Sequence, residues 1–309
     1  MREVILPPLI ARMLAAGAAL TVSISGGKDS QAMLAALAAL WRREGWRSAY
    51  STLHCSLGRM DWPEARPHSE RLAAQAGLPL AVVRREQGDL LADMQQRLEK
   101  TRGTGTPFWP SAQFRYCTSD NKTRPSDAQL RRHHLVISAE GIRAEESPAR
   151  AKKQPVSLRP SITSKVFKDL TPEEAVAAAR PGRRAAVSWY PIFDWTLSDV
   201  WKGCATSADD IAHRRTLYAE GQTARALAGC PVAEAYVLGN DRFSCQLCIL
   251  ASLNDLRVGR RHNLVLWETL CRMEDESGFT FKNGWSLKAL ADNGAPPPAA
   301  PAQMELFDC

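Results

Sequence analysis

The chain has 309 residues, of which 45% are hydrophobic and 24% are charged, and its formal net charge is +7. This length suits one large α/β domain, alone or with a smaller second lobe. No apolar run reaches the roughly 18 residues of a membrane span. The short apolar stretch Met13–Leu20 leads directly into the first motif, which argues against a cleaved signal peptide. We therefore expect a cytoplasmic protein without a membrane segment.

The hydrophobic pattern predicts strands that alternate with helices through the first part of the chain. This alternation is typical of a mostly parallel sheet with helices on both faces. Residues 1–188 are expected to form that α/β domain, residues 189–290 a smaller, mainly helical lobe with cysteines, and residues 291–309 a proline-rich tail. Strands are predicted at Ala19–Ile24, Ala49–Cys55, Leu80–Val83, Leu135–Ala139 and Ala185–Ser188, and helices after Lys28, over Glu64–Ala76 and from Leu90 to Leu98.

The segment from Ser25 to Ser30, here called the phosphate loop, joins the first strand to the first helix. Glycines let backbone N–H groups approach an anion closely, and a helix N-terminus adds partial positive charge. The loop therefore predicts binding of ATP, or of a nucleotide built like it; a glycine turn before an ordinary helix is the alternative. Gly26 and Gly27 supply the close approach, Lys28 a full charge, Ser25 and Ser30 hydroxyl donors, and Asp29 an oxygen for Mg²⁺.

A second charged segment, Gly141–Arg150, follows the predicted strand Leu135–Ala139. Arginine offers a fork of donors that suits phosphate or sulfate oxygens. Ligands of parallel sheets lie at the carboxyl ends of the strands. We therefore count Gly141, Arg143, Glu146 and Arg150 as candidate nucleotide-binding residues, and an exposed charged loop is the alternative.

Cytosolic thiols stay reduced, so we expect no disulfides among the eight cysteines, and their spacing indicates metal binding or catalysis. Cys245 and Cys248 have the Cys-x-x-Cys spacing that lets two thiolates reach one metal centre. A redox couple and inert packing thiols are the other interpretations of this pair. Cys55 lies in a predicted strand and is expected to belong to the core.

The phosphate loop resembles the PP-loop of the ATP pyrophosphatases, the adenine nucleotide alpha hydrolase-like superfamily. Several further segments together resemble the phosphoadenosine phosphosulfate (PAPS) reductase family within it. The resemblance implies the α/β fold, ATP or PAPS as ligand, and Lys28, Asp29 and Arg143 as catalytic residues. The segments are Tyr116-Cys117-Thr118 to Lys122 with Pro125, Gly141 to Ser147, Tyr190 to Trp201, Tyr236 to Arg242, and Cys245 to Cys248.

The resemblance also implies a 4Fe-4S cluster. In iron–sulfur members similar to this chain, a cysteine at the place of Cys117 joins the C-terminal pair around the cluster. Tyr116 stands where many adenylylsulfate reductases have another cysteine, so one ligand is missing. Cys230 is the predicted replacement, ahead of Cys204 and Cys271. A cluster with three cysteines and an open iron is the second option, and a protein without metal is the third.

Three functions are consistent with these features. The intact phosphate loop favours ATP, and the nearest resemblance is to the DNA-phosphorothioation PP-loop proteins. It implies ATP cleavage at the α-phosphate and cluster-dependent transfer of sulfur from a donor, with DNA or tRNA among the acceptors. The alternatives are a sulfonucleotide reductase that uses Cys309 as nucleophile, and a non-catalytic nucleotide-binding protein recruited to DNA.

Two further features indicate a nucleic-acid context. Gln303–Phe307 resembles the peptide by which bacterial proteins bind the DNA sliding clamp, with Leu306 and Phe307 as apolar anchors. A free end that packs on its own domain is the alternative. Arginine pairs such as Arg131-Arg132 suit nucleic-acid phosphates or, equally, a solvated surface.

Overall fold

The computed structural model describes residues 2–282 and 284–291. The predicted proline-rich tail, the clamp-binding segment Gln303–Phe307 and Cys309 lie outside these residues. None of the helices in the described ranges combines the length and the apolar character needed to cross a bilayer.

A six-stranded sheet forms the centre of the described part of the chain. Its order is β3-β2-β1-β4-β6-β5, and every neighbouring pair is parallel except β5 with β6. The predicted α/β class with a mostly parallel sheet is therefore confirmed. The strands are β1 (Ala19–Ser23), β2 (Tyr50–Cys55), β3 (Leu80–Val83), β4 (Leu135–Ala139), β5 (Val156–Leu158) and β6 (Ala185–Trp189).

Helices surround the sheet and make up the C-terminal part. The first eight are α1 (Pro8–Ala15), α2 (Lys28–Glu44), α3 (Ala65–Ala76), α4 (Leu90–Thr101), α5 (Tyr116–Thr118), α6 (Arg124–Leu130), α7 (Pro148–Ala151) and α8 (Pro172–Ala177). The remaining ones are α9 (Leu197–Gly203), α10 (Ala208–Ala219), α11 (Thr223–Leu227), α12 (Glu234–Val237), α13 (Leu253–His262), α14 (Leu264–Ser277) and α15 (Leu287–Ala291). A π-helical turn, Ser119–Thr123, joins α5 to α6.

The strand β5 was not predicted from the sequence. It has three residues, all half-buried, and pairs antiparallel at the edge of the sheet. Such a strand is too short to show the alternation that identifies longer ones. Its position matters because Arg159 follows it directly and reaches back across the sheet.

Two main clusters of apolar side chains stabilise the molecule. The first lies around β1, β4, β6 and α2, and it extends to Trp195, Val200 and Tyr236. The second joins Leu57 and α4 to the C-terminal helices α13 to α15. Side chains beyond residue 188 thus pack into the same core as the central strands, and the predicted domain boundary at that point stays a prediction.

An ion-pair network joins three elements at the β5 edge. Arg159 donates to Asp127 of α6 at 2.8 Å and to Glu140 at the end of β4. The side chains of Arg159 and Asp127 are only 13% and 3% exposed. Removing one partner of such a pair leaves a charge without water or counter-ion.

We predict that Arg159→Met lowers the free energy of unfolding by about 3 kcal/mol. The measurement is urea unfolding at neutral pH. The control is Arg43→Met, which removes a pair with Glu3 whose arginine is 52% exposed, and which should change stability by less than about 1 kcal/mol. Equal losses in the two variants would contradict a structural role for the Arg159 network.

Candidate functional site

The phosphate loop follows β1 at the carboxyl edge of the sheet, where ligands of parallel sheets bind. Gly26 has a φ of +83°, in the left-handed region that favours glycine. The Ser30 hydroxyl accepts the backbone N–H of Ser25 at 3.2 Å and donates to the Gly27 carbonyl at 2.8 Å. These bonds fold the loop into a tight turn that leads into α2. The N-terminus of α2 therefore lies at the carboxyl edge of the sheet, where it can receive an anion.

Three charged side chains of this loop and its neighbour form one network. Asp29 accepts from Lys28 Nζ through Oδ2 at 2.9 Å and from Arg143 Nε through Oδ1 at 2.7 Å. Arg143 is 4% exposed and also donates to Glu145 and to the Trp195 carbonyl. The predicted catalytic residues Lys28, Asp29 and Arg143 are therefore in direct contact.

The pKa of Asp29 is lowered by this network. Burial alone would raise the pKa of Asp29, but the ammonium of Lys28 and the guanidinium of Arg143 together lower it by more than burial raises it. A carboxyl with a depressed folded pKa contributes stability above its unfolded pKa and loses that contribution as the pH falls through the folded value. The network is thus intact at neutral pH and weakens only in acid.

The second charged segment packs directly on the phosphate loop. A Cβ added to Gly141 would lie 3.0 Å from the backbone of Asp29 and Ser30, so the close approach requires glycine. The Glu146 carboxylate accepts the backbone N–H of Arg143 at 3.1 Å and pairs with Arg150. All of the predicted nucleotide-binding residues therefore lie in two touching segments.

Aromatic side chains from the C-terminal part cover the phosphate loop. The hydroxyl of Tyr236 accepts the backbone N–H of Lys28 at 3.0 Å. Lys28 Nζ lies 5.8 Å and 5.6 Å from the ring centres of Trp201 and Tyr236. A Cβ added to Gly26 or Gly27 would meet Phe243 at 3.1 or 3.2 Å. Trp201, Tyr236 and Phe243 were not predicted as site residues. Trp201 and Tyr236 lie in segments of the family resemblance, and Phe243 lies between two of these segments.

The thiol cluster is defined as Cys117, Cys245 and Cys248. Its last two members follow the covering residue Phe243 closely in the chain. Cys245 comes two residues after Phe243, and all three cysteines pack against the second core. A hydrogen bond from Cys245 lowers the pKa of Cys248 to about 6, and the same bond raises the pKa of Cys245. Burial raises the pKa of Cys117, and charge on Cys248 raises it further.

Lys122 lies beside the thiol cluster on the π-helical turn. Its side chain reaches solvent although protein surrounds it on most sides. Desolvation would lower its pKa, but the charges of Cys245, Asp61 and Cys248 raise it. Sequence reasoning noted Lys122 only as part of a motif, and π-helical turns are frequent at functional sites.

The structure does not bring Cys230 to the thiol cluster. Cys230 packs against the first core, and its charged neighbours are Arg214, Asp210 and Glu64. Cys204 is buried under the phosphate loop and donates to the Lys28 carbonyl at 3.2 Å. Cys271 is buried in the second core. Within the described ranges, no three or more His, Cys, Asp or Glu side chains are arranged as a ligand group for a metal ion.

The comparison with protein families identifies the class of protein. The family model for the phosphoadenosine phosphosulfate reductase domain matches residues 19–220. This match covers more than half of the chain, so the chain belongs to the PAPS reductase family. Its span includes the phosphate loop, Cys117 and the Gly141–Arg150 segment, and it ends before Cys245.

The search of curated proteins found no match. Among solved structures, the phosphoadenylyl-sulfate (PAPS) reductase from Candida auris in its phosphate complex is similar, with a TM-score of 0.39 and 9% identity. The alignment covers 64% of this chain and 76% of that chain. A likeness at this level carries no argument, and the family assignment rests on the domain match.

The first prediction for the site compares two glycines that have nearly equal φ angles. Gly26→Ala should lower the free energy of unfolding by about 1–2 kcal/mol more than Gly17→Ala. Both positions have positive φ (+83° and +82°), but only Gly26 is crowded, by Phe243 and by the Ala65 carbonyl at 3.2 Å. Urea unfolding of both variants measures the difference, and equal losses would show that the covering contact is absent.

The thiol pair generates a second prediction, made for the iron-free protein. Alkylation of Cys248 by iodoacetamide should accelerate as the pH rises through about 6 and change little above pH 7, because the reactive thiolate is then fully formed. Peptide mass spectrometry follows the site. In Cys245→Ala the midpoint should rise towards the ordinary value of about 8.5. A wild-type midpoint already at that ordinary value would contradict the thiol hydrogen bond.

Proposed function

We propose that this protein is an ATP-consuming sulfurtransferase of the PAPS reductase family. It binds ATP at the phosphate loop, transfers the adenylate group to an acceptor, and exchanges the activated oxygen for sulfur. The observation that carries the proposal is the contact of Phe243 with Gly26 and Gly27, which places the thiol-bearing segment over an intact phosphate loop.

The residues of the loop have separate roles in this proposal. The glycines and the N-terminus of α2 receive phosphate oxygens. Lys28 and Arg143 stabilise the negative charge that grows on the phosphates as the bond to the leaving group lengthens. Asp29 positions both cations, since each of its carboxylate oxygens already bonds to one of them.

The chemistry consists of two substitutions that balance without an oxidant. An oxygen of the acceptor attacks the α-phosphorus of ATP, and the bond from that phosphorus to the bridging oxygen breaks, which releases pyrophosphate. The acceptor then carries AMP on its oxygen. A donor that supplies sulfur at the oxidation level of sulfide attacks the acceptor atom, the bond to oxygen breaks, and AMP leaves.

A magnesium ion held by Asp29 does not fit the observed contacts, because both carboxylate oxygens are engaged by cations. Mg²⁺ is instead expected to arrive with ATP as part of the substrate, bound to the phosphate oxygens. The proposal assigns no step to a protein-bound magnesium.

The donor chemistry of the thiol cluster fits an iron–sulfur group, since thiolates are the ligands such clusters use. Cys117, Cys245 and Cys248 would be the ligands of a 4Fe-4S cluster, although in the described residues they are not arranged as a ligand group, and Cys230 lies apart from them in the first core. When bound, such a cluster supplies an iron that can carry sulfur. Lys122 contributes positive charge beside the thiolates, and the low pKa of Cys248 keeps one ligand deprotonated at neutral pH.

A sulfonucleotide reductase is the second candidate, and the family match favours it. In that reaction a thiol attacks the sulfur of PAPS or adenylylsulfate, and reduction releases sulfite. The two candidates use the same loop for different nucleotides. They are separated by their products, since only the first releases pyrophosphate from ATP and only the second releases sulfite from PAPS in the presence of a dithiol.

We predict that the wild-type protein releases pyrophosphate from ATP in the presence of an acceptor, and AMP once a donor of sulfide-level sulfur is added. Lys28→Ala should lower the rate by about 10²–10³-fold, the effect of losing one charge-stabilising group. Lys168→Ala, which removes a lysine that is 75% exposed, is the matched control and should leave the rate unchanged. Sulfite release from PAPS with no pyrophosphate from ATP would replace this proposal with the reductase.

A further inference from the structure

A hollow lies outside the phosphate-loop site, at the carboxyl end of the edge strand β3. It is formed by the segment after β3, by α4 and by α6, and has a volume of about 800 Å³. Cations dominate its lining, since six of the lining side chains are basic and three are acidic. The basic ones are Arg84, Arg85, Arg97, Lys100, Arg124 and Arg132.

The acidic side chains neutralise only part of this charge. Asp93 is 3% exposed and lies 3.2 Å from Arg97 and 3.6 Å from Arg85. Asp120 lies 2.8 Å from Arg97 and 3.5 Å from Arg124. These two carboxylates therefore fix the arginines at the base of the hollow.

The rim of the hollow carries cations that point to solvent. Arg84, Lys100 and Arg132 are exposed, and in the described part of the chain no acidic side chain lies within ion-pairing distance of any of them. Arg124 is 77% exposed. Three or four cations at one open concavity attract a ligand with several negative charges.

An exposed aromatic ring lies beside Arg97, one of the arginines that line the hollow. Phe114 is 59% exposed, although a ring of this size is usually buried. Its ring centre is 5.8 Å from the guanidinium of Arg97, which also lies 3.8 Å from the ring of Tyr116. Arg97 is held by Asp93 and Asp120, so Phe114 lies against a fixed arginine of the hollow's lining.

The hollow adjoins the thiol cluster through one short segment. Cys117 and Lys122 are on the α5 helix and the π-helical turn, and both are near Cys248. Asp120 and Arg124 belong to the same continuous stretch but line the hollow. The hollow and the thiol cluster thus share one short stretch of the chain.

We propose that this hollow binds a single-stranded segment of nucleic acid, with phosphates on Arg84, Lys100 and Arg132 and a base stacked on Phe114. This inference rests on the proposed function, for which the bound strand would be the sulfur acceptor. A groove with several cations tracks the phosphate backbone, and an aromatic ring stacks on unpaired bases of any sequence. A base inside a duplex offers no free face to such a ring.

The experiment measures fluorescence anisotropy of labelled oligothymidylate and oligouridylate with the full-length protein at several salt concentrations. The variant Arg84→Ala/Lys100→Ala/Arg132→Ala should reduce the slope of log K against log salt by about 2, because three phosphate contacts are lost. Phe114→Ala should weaken binding about tenfold without a change in this slope, since stacking is not a charge effect.

The matched control is Arg12→Ala/Arg42→Ala/Arg47→Ala. It removes the same number of exposed cations from α1, the end of α2 and the loop that leads to β2, towards the amino ends of the strands, and should keep the wild-type slope. The ratio of the two oligonucleotide affinities decides between DNA and RNA as the source of the strand. Tighter binding to duplex DNA or to polyglutamate than to either strand would overturn the inference, as would equal losses in the two triple variants.

Titration of the same wild-type protein with ATP keeps this inference separate from the proposed function. Strand binding without ATP binding would contradict the proposed function and leave the hollow as a nucleic-acid site. ATP binding without strand binding would contradict the inference alone.

Discussion

The close contact between the phosphate loop and the aromatic side chains of the C-terminal part determines the rest of the site. Gly26 and Gly27 leave room for Phe243, and the backbone N–H of Lys28 is bound by the Tyr236 hydroxyl. Because Cys245 follows Phe243 so closely in the chain, this contact sets the position of the thiols relative to the phosphates. The phosphate loop and the thiol-bearing segment are thereby brought together in the structure.

Much of the fold could be predicted because its central strands β1, β4 and β6 are buried and its motifs lie at strand ends. β3 and β4 have the predicted bounds, and the other three predicted strands differ from the observed ones by one residue at one end. The edge strand β5 was missed, since three half-buried residues carry no periodic signal. The ion-pair network of Arg159 explains why β5 nevertheless forms, because the strand depends on partners that are distant in sequence.

The site was predictable where the function of a residue depends on local sequence. The phosphate loop and the Gly141–Arg150 segment are such cases, and the structure shows them in contact. Cys230 was chosen by spacing alone, and packing places it in another core from Cys245. The cations that line the hollow come from three separate parts of the chain, so no local sequence pattern predicts them. Both carboxylate oxygens of Asp29, a predicted Mg²⁺ ligand, contact cations, which is the basis of the positioning role proposed for it.

The proposed function requires that ATP bound at the phosphate loop lies close to the thiol cluster. The most direct measurement is the rate of Cys248 alkylation in the iron-free protein, with and without saturating ATP, in the wild type and in Lys28→Ala. The account predicts that ATP slows alkylation in the wild type and has no effect in the variant, because the variant cannot hold the phosphates. An alkylation rate in the wild type that saturating ATP leaves unchanged would contradict it.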